Sequence, residues 1–207
     1  MLTHVWFGAA ASDRPVTVTN STDAQLVEAC LSGRAEAFEV IVERHRRHVY
    51  QLCYRFVGNH EDASDLAQDV FIRAYRGLKN FKHQASLGTW LYRIGVNVCL
   101  NKVGSKTPKP EPLDPLLLVN DERIASQDES ASEALLRGER AGQVRAAIAK
   151  LPRKQRATLI LRVYHELPHE EIAGILGSSV GAVKANFFHA LNNLKKLMLE
   201  AGTGSTK

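Results

Sequence analysis

Apolar residues recur three and four positions apart through most of the chain, the period of helices packed along one side. After a stretch rich in Ser, Thr and Ala with no period, Thr22-Asp23 reads as a helix start, and Ala24 to Leu31 as a short helix closed by Gly33. From Glu36 to Val57, Phe38, Ile41, Val42, Val49, Leu52, Cys53 and Phe56 share one face, and Gly58-Asn59 ends the run. A helix over Glu61 to Lys79 buries Leu66, Val70, Ala74 and Leu78; another runs from about Leu87 to Val103 with Leu87, Leu91, Ile94 and Val98 inward. Few segments look like strands.

The pattern then stops. Pro108, Pro110, Pro112 and Pro115 interrupt any helix between Gly104 and Ser132, and acids collect there. Leu116, Leu117 and Leu118 are an apolar exception with the character of a docking segment. Helical period resumes from Glu133 to Lys150, breaks at Leu151-Pro152, and continues to His165. Two short amphipathic runs close the chain. Glu170 to Leu176 turns Ile172, Ile175 and Leu176 inward; Gly177, Ser178 and Ser179 make a tight turn; Val180, Val183, Phe187, Leu191, Leu194 and Met198 recur along a longer helix. This predicts an all-α protein: a leader over 1–22, a helical domain over 23–103, a flexible Pro/acid-rich linker over 104–132, a second helical domain over 133–199 ending in a helix-turn-helix, and a tail over 200–207.

Charge sharpens the picture. Residues 36–106 carry 11 basic against 7 acidic side chains and residues 133–199 carry 11 against 5, whereas 107–132 carry 2 against 6. Two basic blocks flanking an acidic one suit two surfaces drawn to a polyanion. Cys30, Cys53 and Cys99 show no CxxC spacing and read as small packing residues. The opening residues lack the basic start of a signal peptide and no run approaches membrane-spanning length, so a cytoplasmic protein without membrane contact is expected.

The candidate chemistry is that of binding. Trp90, Arg93, Asn97 and Asn101 are three, four and four apart, so they form a stripe beside the apolar one, with Phe81 and Lys82 in the loop before it. An aromatic ring, a guanidinium and amides on one surface suit single-stranded nucleic acid. Ser178, Ser179, Lys184, Asn186, His189, Asn193 and Lys196 line the polar side of the last helix, where hydroxyls and N–H groups suit phosphate and Asn suits adenine. Glu61, Asp62, Asp65, Gln68 and Asp69 make an acidic face. The dipole explains acids in a first turn, but Asp65 and Asp69 lie deeper, and a basic protein partner suits them. No catalytic residue, metal site or cofactor is expected. His45-Arg46-Arg47-His48 and Glu166-Leu167-Pro168-His169 mimic metal-ligand spacing, but the arginines repel a cation and Pro168 spoils the helical geometry.

These residues together resemble the extracytoplasmic-function sigma factors, the two-domain members of the sigma-70 class. DLAQDVFIRAY, then TWLYRI, then LP…EEIA…VGAVK carry the resemblance, which spans about residues 24–103 and 133–199. It implies that Asp62, Asp65, Gln68, Asp69 and Phe71 bind core RNA polymerase. It implies that Phe81, Lys82, Ser86, Trp90, Arg93, Asn97, Asn101 and Lys102 meet the −10 DNA, duplex and melted strand. Ser178, Ser179, Lys184, Asn186 and His189 would sit on the −35 duplex, and an anti-sigma factor would mask both domains. The chain departs from the pattern at Leu87-Gly88, where an aromatic and a basic residue are common, at Pro168 in place of a Ser cap, and in an Arg-poor last helix, so the promoter sequence does not transfer. The alternative is a helix-turn-helix regulator that binds DNA without recruiting polymerase.

Overall fold

The computed structural model describes residues 21–105 and 131–203; the expected leader up to residue 20, most of the linker with Leu116 to Leu118, and residues 204–207 lie outside them. The described residues form eight α-helices and one short 3₁₀ turn, Leu78–Asn80, with no strand among them. The first unit holds α1 (Asp23–Leu31), α2 (Glu36–Val57), α3 (His60–Gly77) and α4 (Leu87–Ser105); the second holds α5 (Ala131–Ala149), α6 (Arg153–Val163), α7 (His169–Leu176) and α8 (Val180–Thr203).

Local chemistry sets several boundaries. Thr22 and Gln25 form a reciprocal capping box at the start of α1. The Asn59 side-chain oxygen accepts the Asp62 amide at 2.8 Å and starts α3. Such a cap contributes about 1 kcal/mol. Ser86 accepts the Thr89 amide at 3.0 Å in the first turn of α4. Pro168 precedes α7 in an extended conformation without a side-chain cap, and the helix forms because a proline N–H is not needed there.

In the first unit, α2 is the spine against which α1, α3 and α4 pack. Leu26, Ile41, Leu52, Phe56, Val70 and Leu91 are fully or almost fully buried within it. The approach of α4 to α2 depends on Gly95, whose place a Cβ could take only at 2.7 Å from a Leu52 methyl. In the second unit Leu159, Ile160, Leu161, Ile172, Ile175, Val183 and Ala190 form the core. Gly177 turns the chain between α7 and α8 in the left-handed region, at φ 57°, a conformation that costs glycine little.

Two apolar positions differ from expectation, one set by the period and one by the resemblance. Leu191, expected inside, is an exposed residue of α8. It lies at the edge of the stripe that Val183, Phe187, Ala190 and Leu194 turn inward, and the neighbouring Ala190 fills the buried place. Phe71, expected on the polymerase-binding face, is only 6% exposed and belongs to the core. It falls on the same side of α3 as Ala67, Val70 and Ala74, about half a turn from Asp69.

Candidate nucleic-acid interface

The stripe on α4 is intact. Arg93, Asn97 and Asn101 are exposed and Trp90 is half-buried. Trp90 is braced from beneath: its six-membered ring lies over Gly77, and its centroid is 5.3 Å from that of Phe81. Phe81 is itself buried, and the His83 ring packs against it at a tilt, with centroids 4.6 Å apart. His83 has a left-handed backbone, φ 54°. Phe81 therefore supports the aromatic platform rather than offering a free face, and Trp90 and His83 are the rings a base could reach. Lys82 is exposed beside them. The Ser86 hydroxyl is engaged at the α4 start with Thr89, so its structural role is the cap.

Lys102, expected on DNA, forms an ion pair with Asp62 at 2.7 Å. That hydrogen bond, reinforced by Asp65 and Glu61, holds its ammonium above the ordinary lysine value. The acidic face of α3 is thus partly neutralised from within. Asp69 takes both ends of the Arg73 guanidinium at 2.9 Å, an i,i+4 fork that also raises the arginine's pKa. Asp65 and Gln68 are exposed between these pairs. Arg73 was not singled out from the sequence, although its spacing from Asp69 is the signal that would have found it.

On α8 the Ser179 hydroxyl accepts the Ala182 amide at 3.2 Å and caps the helix. Lys184 and His189 are exposed, whereas Asn186 is half-buried on the flank. The Asn193 amide donates to Gln155 of α6 at 2.8 Å, so it braces the unit. Ala185, Phe188, His189 and Asn192 occupy the middle of the solvent face; Phe188 is 62% exposed, with His189 edge-on to it at 5.8 Å. An exposed phenyl flanked by imidazole and amide can read a groove by contact with a thymine methyl as well as by hydrogen bonds.

Two histidines of the metal-like spacings have other contacts. His45 is tied to Asp23 at 3.0 Å beside the Arg44–Asp23 pair, and His169 packs edge-on against Phe187. Among the described residues no helix is long and apolar enough to cross a membrane.

Comparison with known proteins agrees with this layout. Residues 41–107 match the sigma-70 region 2 family and residues 141–194 the sigma-70 region 4 family. The chain is 33% identical to the RNA polymerase sigma-H factor of Pseudomonas aeruginosa over 87% of its length and 96% of that protein's. It is 33% identical to the ECF RNA polymerase sigma factor SigW of Bacillus subtilis over 79% of its length and 90% of the relative. Among solved structures it resembles CnrH, solved in complex with the cytosolic domain of CnrY, with a TM-score of 0.60 and 26% identity, over 86% of this chain and 97% of CnrH. The matched segments include the acidic helix α3, the stripe of α4 and the helix-turn-helix of α7 and α8, in that order, and the chain belongs to the extracytoplasmic-function sigma factors of the sigma-70 class.

Proposed function

We propose that this chain performs promoter-specific initiation as an alternative sigma factor through three separate surfaces. Exposed Asp65 and Gln68, with Asp62 and Asp69 in their ion pairs beside them, dock on a basic surface of core polymerase. Trp90, Arg93, Asn97 and Asn101, with Lys82 and His83 at the loop, hold the −10 strand as it separates. Lys184, Phe188, His189 and Asn192, with the α8 start at Ser179, lie on the −35 duplex. The observation that carries this reading is the α4 stripe: one ring braced on a second, then a cation and two amides, all on one accessible line.

Each part has a physical task. Unstacking a base costs a few kcal/mol, and stacking on an aromatic side chain returns about 1–3 kcal/mol per base. Arg93 and Lys82 offset phosphate charge, while the amides of Asn97 and Asn101 donate and accept at base edges. In this reading the chain makes and breaks no bond; nucleotide addition belongs to polymerase. It works in the cytoplasm, where polymerase and chromosome meet. A partner protein of the anti-sigma class fits as a regulator, since CnrH was solved with the cytosolic domain of CnrY and the sigma factor RpoE of Bartonella quintana with the anti-sigma factor NepR.

The test is run-off transcription with core polymerase on sheared genomic DNA, with RNA 5′ ends sequenced. New starts that share paired upstream motifs, and that vanish with Asp65→Arg/Gln68→Arg, support the assignment. Specific duplex binding without any starts would favour a regulator that does not recruit polymerase.

A further inference from the structure

Lys102 sits where two of the proposed surfaces meet. It follows Asn101, the last residue of the α4 stripe, about a quarter turn round the helix. Its ammonium reaches across to the first turn of α3, where one Asp62 oxygen lies 2.7 Å away. The other Asp62 oxygen accepts the Asn59 side-chain amide at 3.0 Å, so the cap of α3 and the cation of α4 hold one carboxylate between them. The Asp65 and Glu61 charges stand behind it and add to the hold on the ammonium. Both partners are about one-third exposed, so an incoming charge can reach either. An ion pair this open favours its own geometry by no more than about fivefold, and a competitor of ordinary strength can take one partner away.

The two competitors come from different sides. A phosphate on the −10 strand competes with Asp62 for Lys102, and a cation of the polymerase surface competes with Lys102 for Asp62. If the strand takes Lys102 alone, the Asp62 carboxylate is left facing a polyanion. If polymerase takes Asp62 alone, the Lys102 ammonium is left facing a basic surface. When both arrive, each charge exchanges its old partner for a new one of the same sign, and neither is left bare. Each binding event therefore favours the other, by the same factor in both directions. The Arg73–Asp69 fork has no such property, because both of its ends belong to α3 and it joins no second surface.

We propose that Lys102 is an exchange residue, paired with Asp62 until polymerase engages that carboxylate and then passed to a phosphate of the −10 strand. The polymerase half of this statement rests on the function proposed above; the competition between Asp62 and phosphate for Lys102 does not. The strength of the pair sets the ceiling on the coupling, about fivefold.

The experiment has two arms on the full chain. In the first, without polymerase, binding of a labelled oligothymidylate is titrated between about 50 and 200 mM salt. Asp62→Asn keeps an oxygen for the Asn59 amide and releases Lys102, so the slope of log K against log salt should steepen by about 0.7. Glu61→Gln removes the same charge but keeps the pair, and should leave the slope alone. Lys102→Met added to Asp62→Asn should restore the natural slope. In the second arm, affinity for core polymerase should rise about two- to fivefold with Lys102→Met, which frees Asp62, and stay unchanged with Lys102→Arg, which keeps the pair. In an Asp62→Asn background Lys102→Met should then have little effect on that affinity, which separates exchange from simple charge removal. A slope unmoved by Asp62→Asn, or moved equally by Glu61→Gln, overturns the proposal. So does a core affinity indifferent to Lys102→Met. If Asp62→Asn loses helicity, the two Lys102 variants decide through core affinity. Failure of every form to bind polymerase would overturn the proposed function and the exchange with it, while the salt slopes would still show whether Asp62 holds Lys102 from phosphate.

Discussion

The Lys102 ammonium lies 2.7 Å from the Asp62 carboxylate, tying the last turns of α4 to the first turn of α3. One surface proposed for DNA and one proposed for polymerase thus share a contact. Both partners are about one-third exposed, so the pair contributes at most about 1 kcal/mol to stability. Because its charge is already matched, Lys102 releases little counterion on binding DNA. Lys102→Ala is expected to leave the salt dependence of DNA affinity nearly unchanged. Arg93→Ala should lower the slope of log K against log salt by about 0.7–0.9. Titrations between 50 and 200 mM salt distinguish the two; a full unit lost with Lys102→Ala would show that the ion pair opens on DNA.

Trp90 is held against Phe81 and above Gly77. Trp90→Ala should weaken binding of single-stranded −10 DNA by about 1–3 kcal/mol and leave binding of a −35 duplex unaffected. Trp90→Phe should recover part of the loss. Equal damage to both kinds of DNA would point to a folding defect instead.

Burial lowers the pKa of His165 from its ordinary 6.5 to about 4, with His48 and Arg55 adding like charge. Burial also pushes the Tyr92 hydroxyl up to about 12, so at neutral pH Tyr92 keeps its proton and shares a hydrogen bond with a neutral His165. The unfolded chain takes up the imidazole proton first as pH falls. Stability linked to neutral His165 is therefore complete above about 6.5, and on the order of 3 kcal/mol of it is lost between there and about 4. Urea unfolding from pH 7 to 4 should follow this decline, and His165→Gln, which cannot titrate, should flatten it. A parallel pH dependence in the variant would place the titration elsewhere.

Gly95→Ala sets a methyl 2.7 Å from Leu52. Overpacking costs about 1–3 kcal/mol, against a gain of up to about 1 kcal/mol in helix propensity, for a net loss near 1 kcal/mol. In a Leu52→Ala background the same change should cost less, since the clashing methyl is gone. A thermal-denaturation double-mutant cycle reads the coupling directly, and strictly additive effects would contradict the close approach.

The sequence pattern located the helices because nearly all of them bury one apolar stripe, and caps such as Asn59 and Ser86 mark where they begin. Phe71 was legible too: its spacing from Ala67, Val70 and Ala74 places it inside, and grouping it with the acids ignored that period. Phe188 was legible as an exposed ring with reach to a thymine methyl, because it falls outside the stripe of Val183, Phe187 and Leu194, and it is 62% exposed. Asn192 was harder, since nothing local marks a solvent-facing amide as a contact. The seam between the units was beyond periodicity altogether. Arg156 sits among the apolar residues of α6, and the carbonyls it reaches, that of Ala149 and that of Phe56 100 positions earlier, explain why a guanidinium is buried there.

Trp90 also gives the molecule an optical signal. An indole whose one face rests on fixed neighbours while the other is open has an emission that changes when a base stacks on it. The chain contains two tryptophans, so Trp6→Phe leaves Trp90 as the sole indole. Strand separation at a promoter could then be followed in real time, from inside the protein, without any dye on the DNA.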